Sequence, residues 1–226
     1  MGKDIIGKAF SSTGEGFVGE WTKWILLIVC SLIQSITFGI VPLLNGYILR
    51  IFSADNKAPE IDSWGKMFVD GWKFNIVCLL YMIPAIIIAV VFGLFALVPV
   101  LGAVALGNPE ELMALFGIFT GIAITGVVML IMALFMFMGL VRLGKTNKIG
   151  EAFNFGEITK TIGSGAGWLG YIGYCVLLWI LLVLYILIVS ALNFIPFLGM
   201  IVGIIVTPLV WVFIAYYLKN VYEAKD

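Results

Sequence analysis

The sequence predicts an all-α, polytopic integral membrane protein: one helical bundle of five spans, or six if the first segment is broken or re-entrant. Amphipathic helices lie along one face. Three observations predict it. The 226 residues are 62% hydrophobic and only 12% charged, with a mean hydropathy of +1.15, well above the balance of a soluble domain. Residues 161–218 form a run without a charged side chain, about right for two crossings joined by a turn. Three more uncharged runs precede it, at 24–49, 74–109 and 112–141.

The elements follow in order within a single membrane domain, 1–226. Residues 3–20 are an N-terminal interfacial segment, with Ile5, Ile6, Ala9 and Phe10 as its apolar side. Segment 24–49 either crosses once, tilted, or is broken where Pro42 sits between Gly39 and Gly46. Residues 62–73 form an interfacial helix: Trp64, Phe68 and Trp72 share one face, while Lys66, Asp70 and Lys73 lie away from it. Span 2 covers 74–98 and leaves through the Pro/Gly-rich Val98-Pro99-Val100-Leu101-Gly102. Glu110 and Glu111 after Pro109 suit a helix N-terminal turn. Span 3 is 112–141. A second interfacial helix covers 151–162, with Phe155, Ile158 and Ile162 as its stripe. Spans 4 and 5, 168–192 and 199–218, turn through 193–198.

Charge sets the orientation. Lys/Arg excess marks the cytoplasmic face of a membrane protein. The loops 50–73 and 142–167 and the C-terminus carry most of the 13 cations, so they are predicted cytoplasmic in a cell-membrane protein. Five crossings put the N-terminus, with Lys3, Lys8 and Lys23, on the other side; a broken first segment puts it on the same side.

Short echoes suggest an internal repeat. Ile6-Gly7-Lys8-Ala9-Phe10 resembles Ile149-Gly150-Glu151-Ala152-Phe153, and Val98-Pro99-Val100-Leu101-Gly102 resembles Ile195-Pro196-Phe197-Leu198-Gly199. Gly117-x-x-x-Gly121, Gly163-x-x-x-Gly167 and Gly199-x-x-x-Gly203 fit close helix approach, within one copy or between copies.

The chemistry is sparse. No histidine is present, which excludes imidazole metal sites and His-based hydrolysis. No phosphate-cradling Gly-x-x-x-x-Gly-Lys-Ser/Thr occurs. Cys30, Cys78 and Cys175 are odd in number and lie in apolar runs, so they read as packing residues. The start lacks a cleavable signal pattern, and Ile6 fills the hydroxyl position that myristoylation needs. No catalytic residue, cofactor or metal is assigned. A net charge of zero gives no reason to expect nucleic acid.

The segment Gly46-Tyr47-x-x-Arg50, then Pro59-Glu60-Ile61-Asp62-x-Trp64-Gly65-x-x-Phe68-x-Asp70-Gly71-x-Lys73, then Tyr81-x-x-Pro84, carries a pattern, with Ala152-Phe153-Asn154-Phe155 following. It resembles a family of multi-spanning prokaryotic membrane proteins, frequent in archaea and known only as a domain of unknown function. Ile61 stands where that family favours Phe, and Ser63 where it favours a second acid. The resemblance implies architecture and brings no activity.

The expectation is therefore a non-enzymatic membrane protein that self-associates as a homo-oligomer or binds lipid or a partner at its cytoplasmic elbow. Membrane lipids are its expected partners, and no feature identifies a soluble one. The elbow candidates are Arg50, Asp62, Trp64, Asp70, Lys73 and Arg142. Two alternatives stand beside it. One is a transporter or channel for a small or apolar solute, its path lined by Gln34 and Asn45. The other is a lipid-headgroup enzyme using Asp62, Asp70 or Arg50.

Overall fold

The computed structural model describes residues 5–54, 58–106, 111–195 and 197–224, the side chains of 96–106 and 111–115 excepted. Among these residues every regular element is helical. In chain order they are α1 (Ile5–Phe17), α2 (Trp21–Ile36), α3 (Leu43–Ser53), α4 (Trp64–Leu106) and α5 (Glu111–Thr146). A 3₁₀ turn (Ile149–Phe153), α6 (Phe155–Ser164), α7 (Gly167–Leu192) and α8 (Leu198–Glu223) follow. Glu110, the Glu111 side chain, Lys3, Lys57, Pro196 and Lys225 lie outside the described residues.

Four helices are long and apolar enough to cross a membrane: α4, α5, α7 and α8. The α1–α2 pair is bent by 104° and would make a fifth crossing only if counted as one broken span.

Two findings bear on the expected elements. Segment 24–49, expected either as one tilted crossing or as a broken segment, is not one helix. Thr37 ends α2, its hydroxyl donating to the Ile33 carbonyl at 2.7 Å and accepting from the Val41 amide at 3.1 Å. Gly39 then takes φ +79°, a left-handed conformation that glycine tolerates best. Pro42 precedes the first turn of α3. A correction concerns α4, which joins what was divided. Residues 62–73 are not a separate helix, nor does the chain turn at 98–102: α4 runs unbroken for 43 residues from Trp64. Lys73 and Phe74 mark a change of polarity without a helix breaker between them, so the backbone continues.

The interfacial helix expected at 151–162 starts late. The Asn154 side-chain oxygen accepts from the Glu157 amide at 3.2 Å, which caps α6 at its start. Ile158 and Ile162 are buried as the stripe predicts, but Phe155 is exposed.

The chain divides into two compact units: 1–77 with 137–226, and 78–136. In the first, α3 buries eight of its 11 residues. The second half of α8 is buried nearly all round, including Val212, Phe213, Tyr216, Tyr217 and Leu218, as an element at the centre of a unit must be. Pro208 lies inside α8. Lacking an N–H, it leaves the Ile204 carbonyl without its helical donor. At the next carbonyl, Ile205, the Trp24 indole donates at 3.1 Å and ties α2 to α8. Between α7 and α8, the Tyr185 and Thr207 hydroxyls share a bond of 2.7 Å. The second unit is a hairpin of the remaining parts of α4 and α5, which meet where Gly121 faces Phe92.

Candidate functional site

The polar side chains of the first unit gather around α3. Gly46 on α3 lies so close to α4 that a Cβ there would stand 1.9 Å from the Met67 carbonyl oxygen. One turn away, a Cβ on Gly71 would stand 1.9 Å from the Pro42 carbonyl oxygen. The two glycines let α3 and α4 touch backbone to backbone. Gly144 on α5 makes a third such approach, to Phe52 and the Leu49 carbonyl.

The segment 58–63 forms a strap across the outer end of α3. The Tyr47 hydroxyl donates to the Pro59 carbonyl at 2.9 Å. Arg50 donates to the Asp62 carboxylate at 2.8 Å and to the carbonyls of Glu60 and Ser63 at 3.3 and 3.1 Å. Lys23 on α2 donates to Glu60 at 2.9 Å. Ile61 is buried beneath the strap. Two grooves flank it. One, of about 310 Å³, includes Arg50, Ser53, Asp62 and Lys66 in its lining. The other, of about 350 Å³, includes Ser12, Glu15, Glu20 and Lys23.

Ser63 ends the strap and starts α4; its carbonyl accepts from the amides of Lys66 and Met67. It does so at φ +49°, which costs an L-residue about 1–2 kcal/mol. Ser63→Gly is therefore expected to raise the unfolding midpoint, worth roughly 1 kcal/mol, with Ser63→Val lowering it. A thermal melt in detergent distinguishes the two directions.

Two further clusters hold the remaining elbow residues. Lys73 donates to Asp70 at 2.8 Å and to Asn147 at 2.7 Å, tying α4 to the end of α5; Asp70 is buried. Arg142 donates to Glu151 at 3.0 and 2.5 Å, and Glu157 lies 4.0 Å away. Lys145 pairs with Glu223 at 2.5 Å. The Glu151 carboxyl is held below the ordinary carboxylate range, first by the hydrogen bond from Arg142. A depressed folded value stabilises fully above the unfolded value and is lost as pH falls through the folded one. Acidification below the usual carboxylate range should therefore loosen this elbow, and Glu151→Gln should remove that part of the pH dependence in melts at descending pH.

Gln34 and Asn45 come together across the break between α2 and α3, joined by Asn75, which the sequence reading did not single out. The Asn45 amide donates to Gln34 Oε1 at 3.1 Å, and Gln34 Nε2 donates to Asn45 Oδ1 at 3.1 Å. Asn45 Nδ2 donates to Asn75 Oδ1 at 2.7 Å, and Asn75 Nδ2 to the Gly39 carbonyl at 3.1 Å. Its signal was a polar residue at the edge of the uncharged run 74–109. Trp64, Phe68 and Trp72 are all outward-facing, each more than a third exposed. Among the described residues, no group of three or more His, Cys, Asp or Glu side chains is placed to hold a metal ion.

A family model described as "Protein of unknown function (DUF4013)" matches residues 29–194. The chain belongs to the DUF4013 family. No curated protein and no solved structure matches it. The DUF4013 match covers α3, the strap, α4 to α7 and the amide relay. Among the residues that carried the resemblance, Gly46, Tyr47, Arg50, Asp62, Gly71 and Lys73 each make a specific internal contact in the first unit, while Trp64 and Phe68 face outward.

Proposed function

We propose that this DUF4013 protein is a non-enzymatic integral membrane protein that binds lipid at its cytoplasmic face. It crosses four times, through α4, α5, α7 and α8, and α1 to α3 enter and leave the same face. The observation that carries the reading is the outward stripe Trp64–Phe68–Trp72 at the head of α4, the helix that continues as a span. Tryptophan beside cations is the side-chain chemistry of the headgroup layer.

The topology has independent support. At about 1.5 Å per residue, α2 and α3 reach roughly 24 and 16 Å, short of the roughly 30 Å hydrocarbon core. Trp21, Ile25, Val29, Leu32 and Ile36 form an exposed stripe along α2, and Phe38 at the break is 94% exposed. An apolar stripe of that length calls for lipid. With α1 to α3 on one face, all 13 cations share that face, as the positive-inside bias favours.

Catalysis is disfavoured because Arg50, Asp62, Asp70, Lys73 and Arg142 are engaged in ion pairs within the first unit. The test is native mass spectrometry of the full chain released from a mild detergent. Retained phospholipid, reduced in Trp64→Ala/Trp72→Ala, supports the proposal; a lipid-free wild type contradicts it. Self-association is the second reading. The 26-residue α7 buries only Tyr171 and Leu178, which leaves its sides to lipid or to another copy. Sedimentation in the same detergent separates these, a single monomeric species removing the second reading.

A further inference from the structure

The corner between α1 and α2 is held at an unusual depth. The Trp24 indole donates to the Ile205 carbonyl at 3.1 Å. Ile205 is seven residues beyond Leu198, where α8 starts, so it lies about 10 Å from that end of the helix. In the other direction it is 14 residues from Lys219, the first charged residue of α8, a distance of about 21 Å. Trp24 is thus fixed beside the uncharged part of a spanning helix. Its neighbours in the chain include the charged Glu20 and Lys23.

The corner carries the chemistry of a water–hydrocarbon boundary. Trp21 stacks on Trp24, ring centroids 5.6 Å apart and planes 10° from parallel, and Trp21 is exposed. Lys23, itself largely buried, donates to the exposed Glu60 carboxylate at 2.9 Å. The groove of about 350 Å³ beside them includes Ser12, Glu15 and Glu20. Tryptophan next to charge marks the headgroup level of a bilayer. Here its lower edge is tied about 10 Å from the far end of α8, whereas an undisturbed hydrocarbon core is roughly 30 Å thick. Bilayers relieve charge at such depth by thinning and by drawing in water, and thinning costs little per ångström of mismatch. The groove gives that water a place to stand. The exposed stripe from Ile25 to Ile36 on α2 stays against acyl chains.

We propose that this corner is a water-filled notch in the cytoplasmic leaflet, which thins the bilayer beside α8 and lets phospholipid headgroups pass between the leaflets. It rests on the four-crossing, lipid-facing reading above and adds an activity to it. The groove holds charges of both signs, Lys23 with Glu15, Glu20 and Glu60, which suits a headgroup carrying both a phosphate and an ammonium. A headgroup that enters the notch stays hydrated as far as the level of Ile205. Only the remaining 10 Å or so, from Ile205 to Leu198, is crossed dry. The movement follows the lipid gradient and needs no energy source.

The test is reconstitution of the full chain into sealed phosphatidylcholine vesicles. A trace of phospholipid with a headgroup fluorophore is present in both leaflets, and a membrane-impermeant reductant is added outside. Wild type is expected to bring the inner-leaflet fluorophore out, so that bleaching proceeds well beyond the outer pool lost by protein-free vesicles. A soluble dye trapped inside should stay unbleached. Lys23→Leu/Glu60→Leu, which exchanges the charged pair for apolar side chains, should slow loss of the inner pool about tenfold or more, provided its melt shows it folded. Should it fail to fold, the wild type decides alone. Bleaching by the wild type that stops at the outer pool overturns the passage. Bleaching of the trapped dye means a leak and overturns it too, as does a folded double variant as fast as the wild type. None of these results touches lipid retention by the wild type, which native mass spectrometry reads separately.

Discussion

Gly71→Ala is expected to prevent the first unit from folding. Its Cβ would stand 1.9 Å from the Pro42 carbonyl oxygen, 2.8 Å from the Pro42 ring and 2.9 Å from its carbonyl carbon. No flexible side-chain end is available to give way; two of the three obstacles are backbone and the third is a ring. Gly46→Ala meets the same problem at Met67, where the oxygen, carbonyl carbon and Cα all lie within 3.0 Å. Relief requires α3 and α4 to separate, which would disturb the amide relay and the strap together. The cost should exceed the roughly 1–3 kcal/mol of ordinary overpacking. Gly65→Ala is the control: it lies in the same helix with nothing within 4 Å, and should stabilise by roughly 0.5–1 kcal/mol through helix propensity. Size-exclusion profiles of detergent-solubilised protein read the outcome. A monodisperse Gly71→Ala protein with an unchanged melt would refute the close crossing.

Arg50→Met is expected to give the next largest effect, a loss of about 2–3 kcal/mol. The side chain is 12% exposed and bridges three strap groups, the Asp62 carboxylate and two carbonyls. Hydrogen bonds to a charged group are worth more than neutral ones, roughly 1.5–3 kcal/mol net for a well-shielded one, and the contributions of three bonds from one side chain do not add. The exposed Asp62 carboxylate tempers the total, because water can replace its partner. Arg50→Lys should not rescue, since a single ammonium cannot serve three acceptors set in a fork. Limited proteolysis within 55–63 is the direct readout: faster cleavage in both variants with an otherwise intact chain is predicted.

These two predictions show which parts of the molecule the sequence made legible. The uncharged runs located α5, α7 and α8 because a span is a local property of composition. The Pro42 region announced a break, but whether it broke depended on Thr37 and Gly39 finding local hydrogen bonds. The residues 62–73 looked like a separate helix because polarity changes at Lys73, yet polarity governs environment and the backbone continued through it. The glycine repeats chosen from their spacing were partial guides. Gly121 does meet Phe92 closely, but Gly117 and Gly163 meet nothing within 4 Å, while Gly46, Gly71 and Gly144, which lack that spacing, make further close approaches. Close approach is a relation between distant segments, and a one-chain pattern does not encode it.

The elbow candidates were legible as residues but not as partners. Arg50 and Asp62 form a pair, Asp70 and Lys73 another, and Arg142 belongs with Glu151 instead. Gln34 and Asn45 are bonded to each other, and Asn75 completes their relay.

The central claim is a chain that crosses four times with α1 on the same side as the α5–α6 elbow. The direct measurement is labelling of single cysteines from either side of sealed vesicles, with Cys30, Cys78 and Cys175 replaced. Ser11→Cys reports α1, Lys148→Cys the elbow, and Phe194→Cys the α7–α8 turn; all three positions are exposed. Ser11 and Lys148 are predicted to label from one side and Phe194 from the other. Labelling of Ser11 from the Phe194 side would mean that α1 to α3 cross the membrane, and would contradict the account.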